Sequence, residues 1–329
     1  MPHKRNSQTG FNDFNDGARA QRAREIYRQR LRRRRRNRII AAVAVVLILA
    51  VGGGTVFAVT NLLPAQQNSN EQQDQGNNSE SQQLEAASEP EYSKPQVNGD
   101  RAKDLALDPS KNSGWRLETD GEKKIYLTFD DGPSENTEKI LKILDQYDAK
   151  ATFFVTGHSP DKFGLIKQEY DAGHSVGMHS YSHNYAEIYT SVDAYKADLD
   201  KIANVIQDQI GFKPFLFRFP GGSSNSVSAN YSAGIMTTLT TQLVNEGYQY
   251  YDWNISSGDA GSDSMPADTI IDNSCQEGWT NIMLLMHDTD AKNSTVEALP
   301  KVIEYYKERG YEFCAIDRDS YAVHHGVSN

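Results

Sequence analysis

Two cysteines in 329 residues are too few for a disulfide scaffold or a cysteine-based zinc finger. Any metal must therefore be held by histidine and carboxylate, and the chain carries only 8 His. No segment repeats along the chain. Long apolar runs are almost missing too, with one exception near the N-terminus. A basic surplus is absent from most of the molecule. Of 34 Lys and Arg, 13 fall within residues 1–38, against 3 of the 44 Asp and Glu. The remainder is strongly acidic, so it would repel phosphates, which excludes nucleic-acid binding by the main domain.

What is present divides the chain into four parts. Residues 1–38 form a basic tail ending in Arg32–Arg36 and Arg38. The uncharged stretch Ile39–Val59 follows at once. As a helix it would reach about 31 Å, the thickness of a bilayer core. Arginines before it predict an inside N-terminus and an outside body. A nucleic-acid arm explains the arginines less well, because the apolar run adjoins them. A cleaved signal peptide explains the run less well, because it is long and lacks a clear Ala-x-Ala site. The expectation is a retained signal-anchor over 39–60, although Gly52–Gly54 weakens the helix. Residues 61–98 hold 19 Gln, Asn or Ser in 38 positions. Such a segment cannot offset its ordering entropy. Residues 61–112 therefore read as a disordered tether with a mean span of ~40 Å, and 113–329 as the catalytic body.

Within the body, short apolar runs alternate with helical stretches. The runs Lys124–Phe129, Lys150–Thr156, His174–Met178, Phe215–Phe219, Tyr248–Asn254, Asn281–Met286 and Tyr311–Ile316 predict strands. Glu135–Tyr147, Asp161–Ala172, Val192–Ile210, Thr237–Glu246, Pro266–Gln276 and Thr295–Glu308 predict helices. Ile282–Met286 is apolar throughout, as a strand buried on both faces should be. About seven strands separated by helices imply an α/β fold with a parallel sheet, open or closed into a barrel. In barrels of that type chemistry sits at the C-terminal strand ends.

Polar residues do follow the apolar runs. Thr128-Phe129-Asp130-Asp131-Gly132-Pro133 places two carboxylates side by side, which repel unless a cation is near. His179-Ser180-Tyr181-Ser182-His183 spaces two imidazoles as on one face of a helical turn, close enough to share an ion. Two imidazoles and one carboxylate make a three-ligand site with open positions. One Asp of the pair can ligate, leaving the other to take a proton from water. Leu284-Leu285-Met286-His287-Asp288 puts a candidate general acid at a strand mouth. Arg218, in Phe217-Arg218-Phe219-Pro220-Gly221-Gly222, could hold a carboxylate ionised, and the glycine turn could cradle an oxyanion.

These segments, with Ser256–Asp259, stand in the order found in the polysaccharide deacetylases, and Lys123–Ile316 resembles that family. It is carbohydrate esterase family four, with the NodB-homology domain. The resemblance implies a distorted (β/α) barrel, a single divalent ion and hydrolysis of N-acetyl groups on a glycan. Carried over by position, it implies Asp131, His179 and His183 as metal ligands and Asp130 as base, positioned by Arg218. It implies His287 as general acid tuned by Asp259, Gly221 as backbone oxyanion donor, and Leu285 as the contact for the acetyl methyl. Two departures stand out. Gly221 follows Pro220 where the family has an aromatic residue, so a substrate wall is lost, and Ala260 replaces a tryptophan after Asp259. Both should open the cleft and bear on substrate preference.

Other residues have plainer readings. Trp253 reads as core, and His158, His324 and His325 as surface. Asp288 stands open between a supporting role and a cap. Cys275 and Cys314 would meet an oxidising compartment, where a disulfide is compatible with the sequence. The resulting expectation is a membrane-anchored bacterial enzyme with its catalytic domain outside the cell. It would remove acetyl groups from a glycan polymer, peptidoglycan first and exopolysaccharide, chitin oligomers or xylan second. A non-catalytic wall-binding module is the rival from another class. Zinc is the expected ion, with cobalt or nickel as alternatives, and the oligomeric state is left open.

Overall fold

The computed structural model describes residues 99–111 and 116–329. Helix α1 (Gly99–Leu105) leads into strand β1 (Lys124–Asp130). Next come α2 (Glu135–Gln146), β2 (Ala151–Thr156), α3 (Gly164–Asp171) and β3 (Ser175–Ser180). The short helix α4 (Tyr185–Ile188) and the long α5 (Val192–Ile210) precede β4 (Leu216–Phe217). Then follow α6 (Ile235–Asn245), β5 (Gln249–Tyr250), β6 (Ile255–Ser256), α7 (Ala267–Ser274), β7 (Asn281–His287), α8 (Asn293–Lys307) and β8 (Glu312–Phe313).

The sheet runs β5-β4-β3-β2-β1-β7-β6, with β8 paired to β1 outside this path, and every pairing is parallel. The central strands are buried along nearly their whole length, so they read as apolar runs rather than as alternating ones. The two edge strands, β5 and β6, are separated by only residues 251–254. Five Cα steps reach at most ~17 Å, whereas the edges of a flat seven-strand sheet lie ~29 Å apart. The sheet must curl toward closure, giving the expected distorted barrel as a curled half-barrel. Strands β4, β5, β6 and β8 are only two residues long. The run predicted as Tyr248–Asn254 breaks after Tyr250, and β6, unforeseen in the sequence, pairs Ile255 with Leu284 on β7.

Local sequence accounts for the helix ends. Ser134 caps α2, its Oγ accepting from Asn136 N–H at 3.0 Å while Thr137 Oγ1 accepts from Ser134 N–H at 2.8 Å. Ser191 opens α5 and Gly211, at φ 88°, ends it. Helix α5 buries Tyr195, Asp198, Leu199, Ile202, Ala203 and Ile206 on one stripe.

The predicted tether boundary needs correction at its C-terminal end. Residues 99–111 are packed on the body rather than disordered. Leu105 is buried, and Ala106 bridges Pro214. Phe215 N–H donates to Leu105 O at 3.0 Å, and Arg101 Nη1 donates to Tyr170 O at 2.9 Å. The apolar Leu105-Ala106-Leu107 supplies the burial that the polar stretch before it lacks. The expected signal-anchor at 39–60, the basic tail 1–38 and the rest of the tether to 98 lie outside the described residues. Among the described residues no helix is long and apolar enough to cross a membrane.

Candidate active site

Parallel pairing brings the strand ends to one rim, and the chemistry-bearing residues meet there. Asp130 is the last residue of β1 and lies opposite His287, the last of β7. After it the chain turns through Asp131 at φ 76°. Gly132 is pressed against Asp288, because a Cβ there would fall 2.2 Å from Asp288 Oδ2. Asp130 thus stays on the strand while Asp131 swings toward the histidines.

The His-x-x-x-His spacing works differently from the helical turn expected. His179 lies on β3, and His183 lies in the following loop at φ 49°. Asp198, on the buried stripe of α5, shapes this loop. Its carboxylate accepts from Ser180 Oγ at 2.5 Å, Tyr181 N–H at 2.8 Å and Ser182 N–H at 3.0 Å. The ring centroids of His179 and His183 end 5.1 Å apart. Asp198 was not read as a site residue, although an Asp in the apolar period of Val192–Ile210 was a signal for it.

Asp131 Oδ1 lies 3.6 Å from His179 Nε2 and 3.6 Å from His183 Nε2, and all three donor atoms fall within 4.8 Å of one another. His179 Nδ1 is 2.9 Å from Arg218 O. A carbonyl only accepts, so Nδ1 carries the proton and Nε2 presents a lone pair. Burial, opposed by Asp131, pushes the His179 imidazole down to about 3, so it is neutral. Asp131 Oδ1 is itself buried, with no hydrogen-bond partner among the described residues. Lone pairs turned on an orphaned carboxylate oxygen are costly without a cation between them. Tetrahedral ligands at zinc distances lie ~3.4 Å apart, close to the observed spacing. The donor set fits a divalent ion.

Beside this triad lies a fully buried guanidinium. Arg218 Nη1 donates to Asp130 Oδ1 and to Thr128 Oγ1, each at 2.8 Å. Nε donates to Tyr251 O at 2.7 Å and Nη2 to Asp252 O at 3.1 Å. Thr128 Oγ1 donates onward to Leu284 O at 2.7 Å. Burial pushes the Asp130 carboxyl up, and the Arg218 charge is the largest force against that rise.

On the other side, His287 Nδ1 meets Asp259 Oδ1 at 2.8 Å. Asp259 Oδ2 accepts from His287 N–H and from Thr295 Oγ1, also at 2.8 Å. Burial disfavours charge on His287, but Asp259, with Asp130 and Asp131, outweighs it and raises the imidazole to about 9. Burial also works against Asp259, yet its bond to His287 holds the carboxyl below its usual range. Leu285 is buried on β7, its backbone carbonyl accepting from Ser257 N–H at 3.0 Å.

The Pro220–Gly221 peptide is oriented by its carbonyl. Pro220 O accepts from Tyr189 Oη at 2.8 Å and from Asn225 Nδ2 at 3.3 Å. In a trans peptide the N–H points the opposite way. Gly221 N–H makes no hydrogen bond among the described residues.

Asp288 supports the Asp130–Gly132 turn rather than capping a helix. Its Oδ2 accepts from Thr137 Oγ1 at 2.5 Å, and burial, with the charges of Asp131 and Asp130, pushes its carboxyl to about 7. Trp253 is half-buried and packs on the core as expected, with its indole edge against Gly222. His158 is exposed, yet its ring meets His183 at 6.3 Å. His324 and His325 are not the surface residues expected. The C-terminal segment runs along β5, so His324 stacks on Tyr250 at 3.8 Å and His325 Nε2 bonds Trp253 O at 2.6 Å. Cys275 and Cys314 are free thiols, each pushed by burial to about 11.

A curled parallel sheet thus gathers a His-His-Asp triad, a buried Arg–Asp pair and an Asp-paired His at one rim, the donor and acceptor groups that a metal-dependent hydrolase uses. Comparison with known proteins gives it a family. Residues 118–237 match the model of the polysaccharide deacetylases. A peptidoglycan-N-acetylglucosamine deacetylase of Bacillus cereus is 37% identical over 224 residues, covering 65% of this chain and 77% of that protein. A putative polysaccharide deacetylase of Bacillus subtilis, YheN, is 32% identical over 211 residues, covering 62% and 71%. The crystal structure of the catalytic domain of a peptidoglycan N-acetylglucosamine deacetylase from Eubacterium rectale superposes with a TM-score of 0.63 at 40% identity. It covers 68% of this chain and 100% of that one. The chain belongs to the polysaccharide deacetylase family, carbohydrate esterase family four with the NodB-homology domain. It is a hydrolase of carbon–nitrogen bonds other than peptide bonds.

Proposed function

We propose that this chain is a metal-dependent N-deacetylase of a cell-surface glycan, peptidoglycan N-acetylglucosamine above all. The observation that carries this is the meeting of three lone-pair donors, Asp131, His179 and His183, between a candidate base and a candidate acid. A divalent ion held by those three, zinc by the chemistry of the donors, supplies Lewis acidity toward the acetyl carbonyl and lowers the pKa of water. Asp130, held by Arg218, takes the proton of the attacking water. Gly221 N–H donates to the oxyanion that develops on the acetyl oxygen. Leu285 faces the acetyl methyl. His287, charged through Asp259, gives its proton to the leaving nitrogen. Acetate departs and an amine remains on the sugar.

The peptidoglycan assignment draws on the names of the similar proteins and on the polar segment 61–98, which suits a tether beside a cell wall. In this reading residues 39–60 anchor the chain and the body works outside the cell. The test is acetate release by the full, metal-loaded chain from purified peptidoglycan, chitin oligomers and acetylated xylan. Release from peptidoglycan that stops with a chelator and returns with zinc is expected. Release from another polymer alone reassigns the substrate. No release from any of them, with the metal site filled, overturns the peptidoglycan reading.

A further inference from the structure

Helix α4 begins two residues after His183, with Asn184 Oδ1 accepting from Ala186 N–H at 3.2 Å. Its first residue, Tyr185, lies between two parts of the candidate site. On one side its ring meets His183 at 5.6 Å. On the other, its hydroxyl lies 2.6 Å from the place a Cβ on Gly221 would occupy. Any side chain at 221 would strike that hydroxyl, and the backbone there has φ 78°, a conformation glycine adopts without strain. The missing side chain at 221 is therefore matched by a phenol that enters the same space from α4.

This phenol is fixed in place. Its ring packs edge-on to Tyr189 at 5.4 Å, and Tyr189 Oη donates to Pro220 O at 2.8 Å. That bond ties α4 to the loop after β4. The Tyr185 side chain is half-buried, and its hydroxyl makes no hydrogen bond among the described residues. Two donors, Tyr185 Oη and Gly221 N–H, thus stand together at the rim with no acceptor from the described residues.

We propose that Tyr185 is a substrate-positioning residue whose hydroxyl donates to an oxygen of the sugar ring carrying the acetamide. This inference rests on the deacetylase reading above. In it Gly221 N–H serves the acetyl oxygen and Tyr185 serves the sugar. The division is testable because the two bonds have different kinetic signatures. A bond to the sugar exists before and during reaction, so its loss raises KM and spares kcat. A bond to the oxyanion would act on kcat and on any acetyl substrate.

The experiment compares full-length wild type with Tyr185→Phe, both zinc-loaded, on N-acetylglucosamine oligomers and on 4-nitrophenyl acetate, which has no sugar. The change removes one oxygen that makes no hydrogen bond among the described residues, so folding and zinc content should match wild type. Loss of one neutral hydrogen bond predicts a ~3–10-fold fall in kcat/KM on the oligomers, carried by KM. The rate on 4-nitrophenyl acetate should not change. Tyr185→Leu should fall further on the oligomers and again spare the ester. Equal rates for Tyr185→Phe and wild type on the oligomers would overturn the inference, as would an equal loss on both substrates or a loss of zinc. If wild type itself releases acetate from no glycan, the deacetylase reading fails and this one with it.

Discussion

Replacing Asp259 by Asn tests the proposed acid most directly. Asp259 Oδ1 and Oδ2 hold the His287 ring and its backbone N–H, both at 2.8 Å, in a site nearly closed to water. Raising an imidazole from 6.5 to about 9 amounts to about 3 kcal/mol of preference for the charged form. That preference exists despite burial, which acts in the opposite sense. Asp259→Asn removes that opposite charge and leaves the burial, so the His287 imidazole should fall toward 6.5, with only Asp130 and Asp131 left to hold it up. The sign follows from the role. A general acid is active below its pKa and inactive above it, so the basic limb of the pH–rate profile must move down, by about 2 pH units. At pH 7.5 a group near 9 is almost wholly protonated. One at 6.5 is protonated in about one molecule in ten, so turnover there should drop ~10-fold or more and recover in part as the pH is lowered. The assay is acetate release between pH 5 and 10 by zinc-loaded wild type and variant, so the ion's effect on His287 is common to both. Imidazole NMR of the two proteins gives the titration itself. An unmoved basic limb, with His287 titrating as in wild type, would refute the coupling.

The two adjacent carboxylates should separate. Asp131→Asn should lose most of its zinc and with it activity, partly recovered at high zinc, whereas Asp130→Asn should keep zinc and lose ~10²–10⁴-fold in turnover; zinc analysis beside acetate release reads both. His179→Ala should hold little zinc, and full occupancy would remove it from the ligand set. Arg218→Met leaves Asp130 buried without its counter-charge, so thermal unfolding should show a loss of ~3–5 kcal/mol, and the acidic limb of activity should move up. Protease added to intact cells should release the body at residues 61–98 and leave a small membrane-bound stub. A body that resists until lysis would contradict the outside location.

How much of this was legible in the chain itself depends on the range of each interaction. A strand buried on both faces must be apolar along its length, so β1, β2 and β7 announced themselves and were nearly right at both ends. Parallel strands share one rim, so residues at or just past their C-terminal ends, Asp130, Asp131, His179, Arg218 and His287, could be gathered without coordinates. Helix α5 was bounded by its own serine and glycine. Interactions between distant parts of the chain were not legible this way. The Arg218–Asp130 bond joins residues 88 apart in sequence, and only the assembled sheet shows that the guanidinium also reaches Thr128 and two carbonyls. The histidine spacing suggested a helical turn, but Asp198 pulls it into a loop, because a buried carboxylate collects whatever N–H groups face it. Residues 99–111 looked like more tether until Leu105 had a surface to bury against. Gly221 looked like a gap in the wall until Tyr185 was seen filling it. Period and composition are local, so the sequence by itself determined the elements and the set of reactive residues. Which side chain answers which, and what occupies the space beside a glycine, is set by contacts between separate elements, and only the tertiary structure decided it.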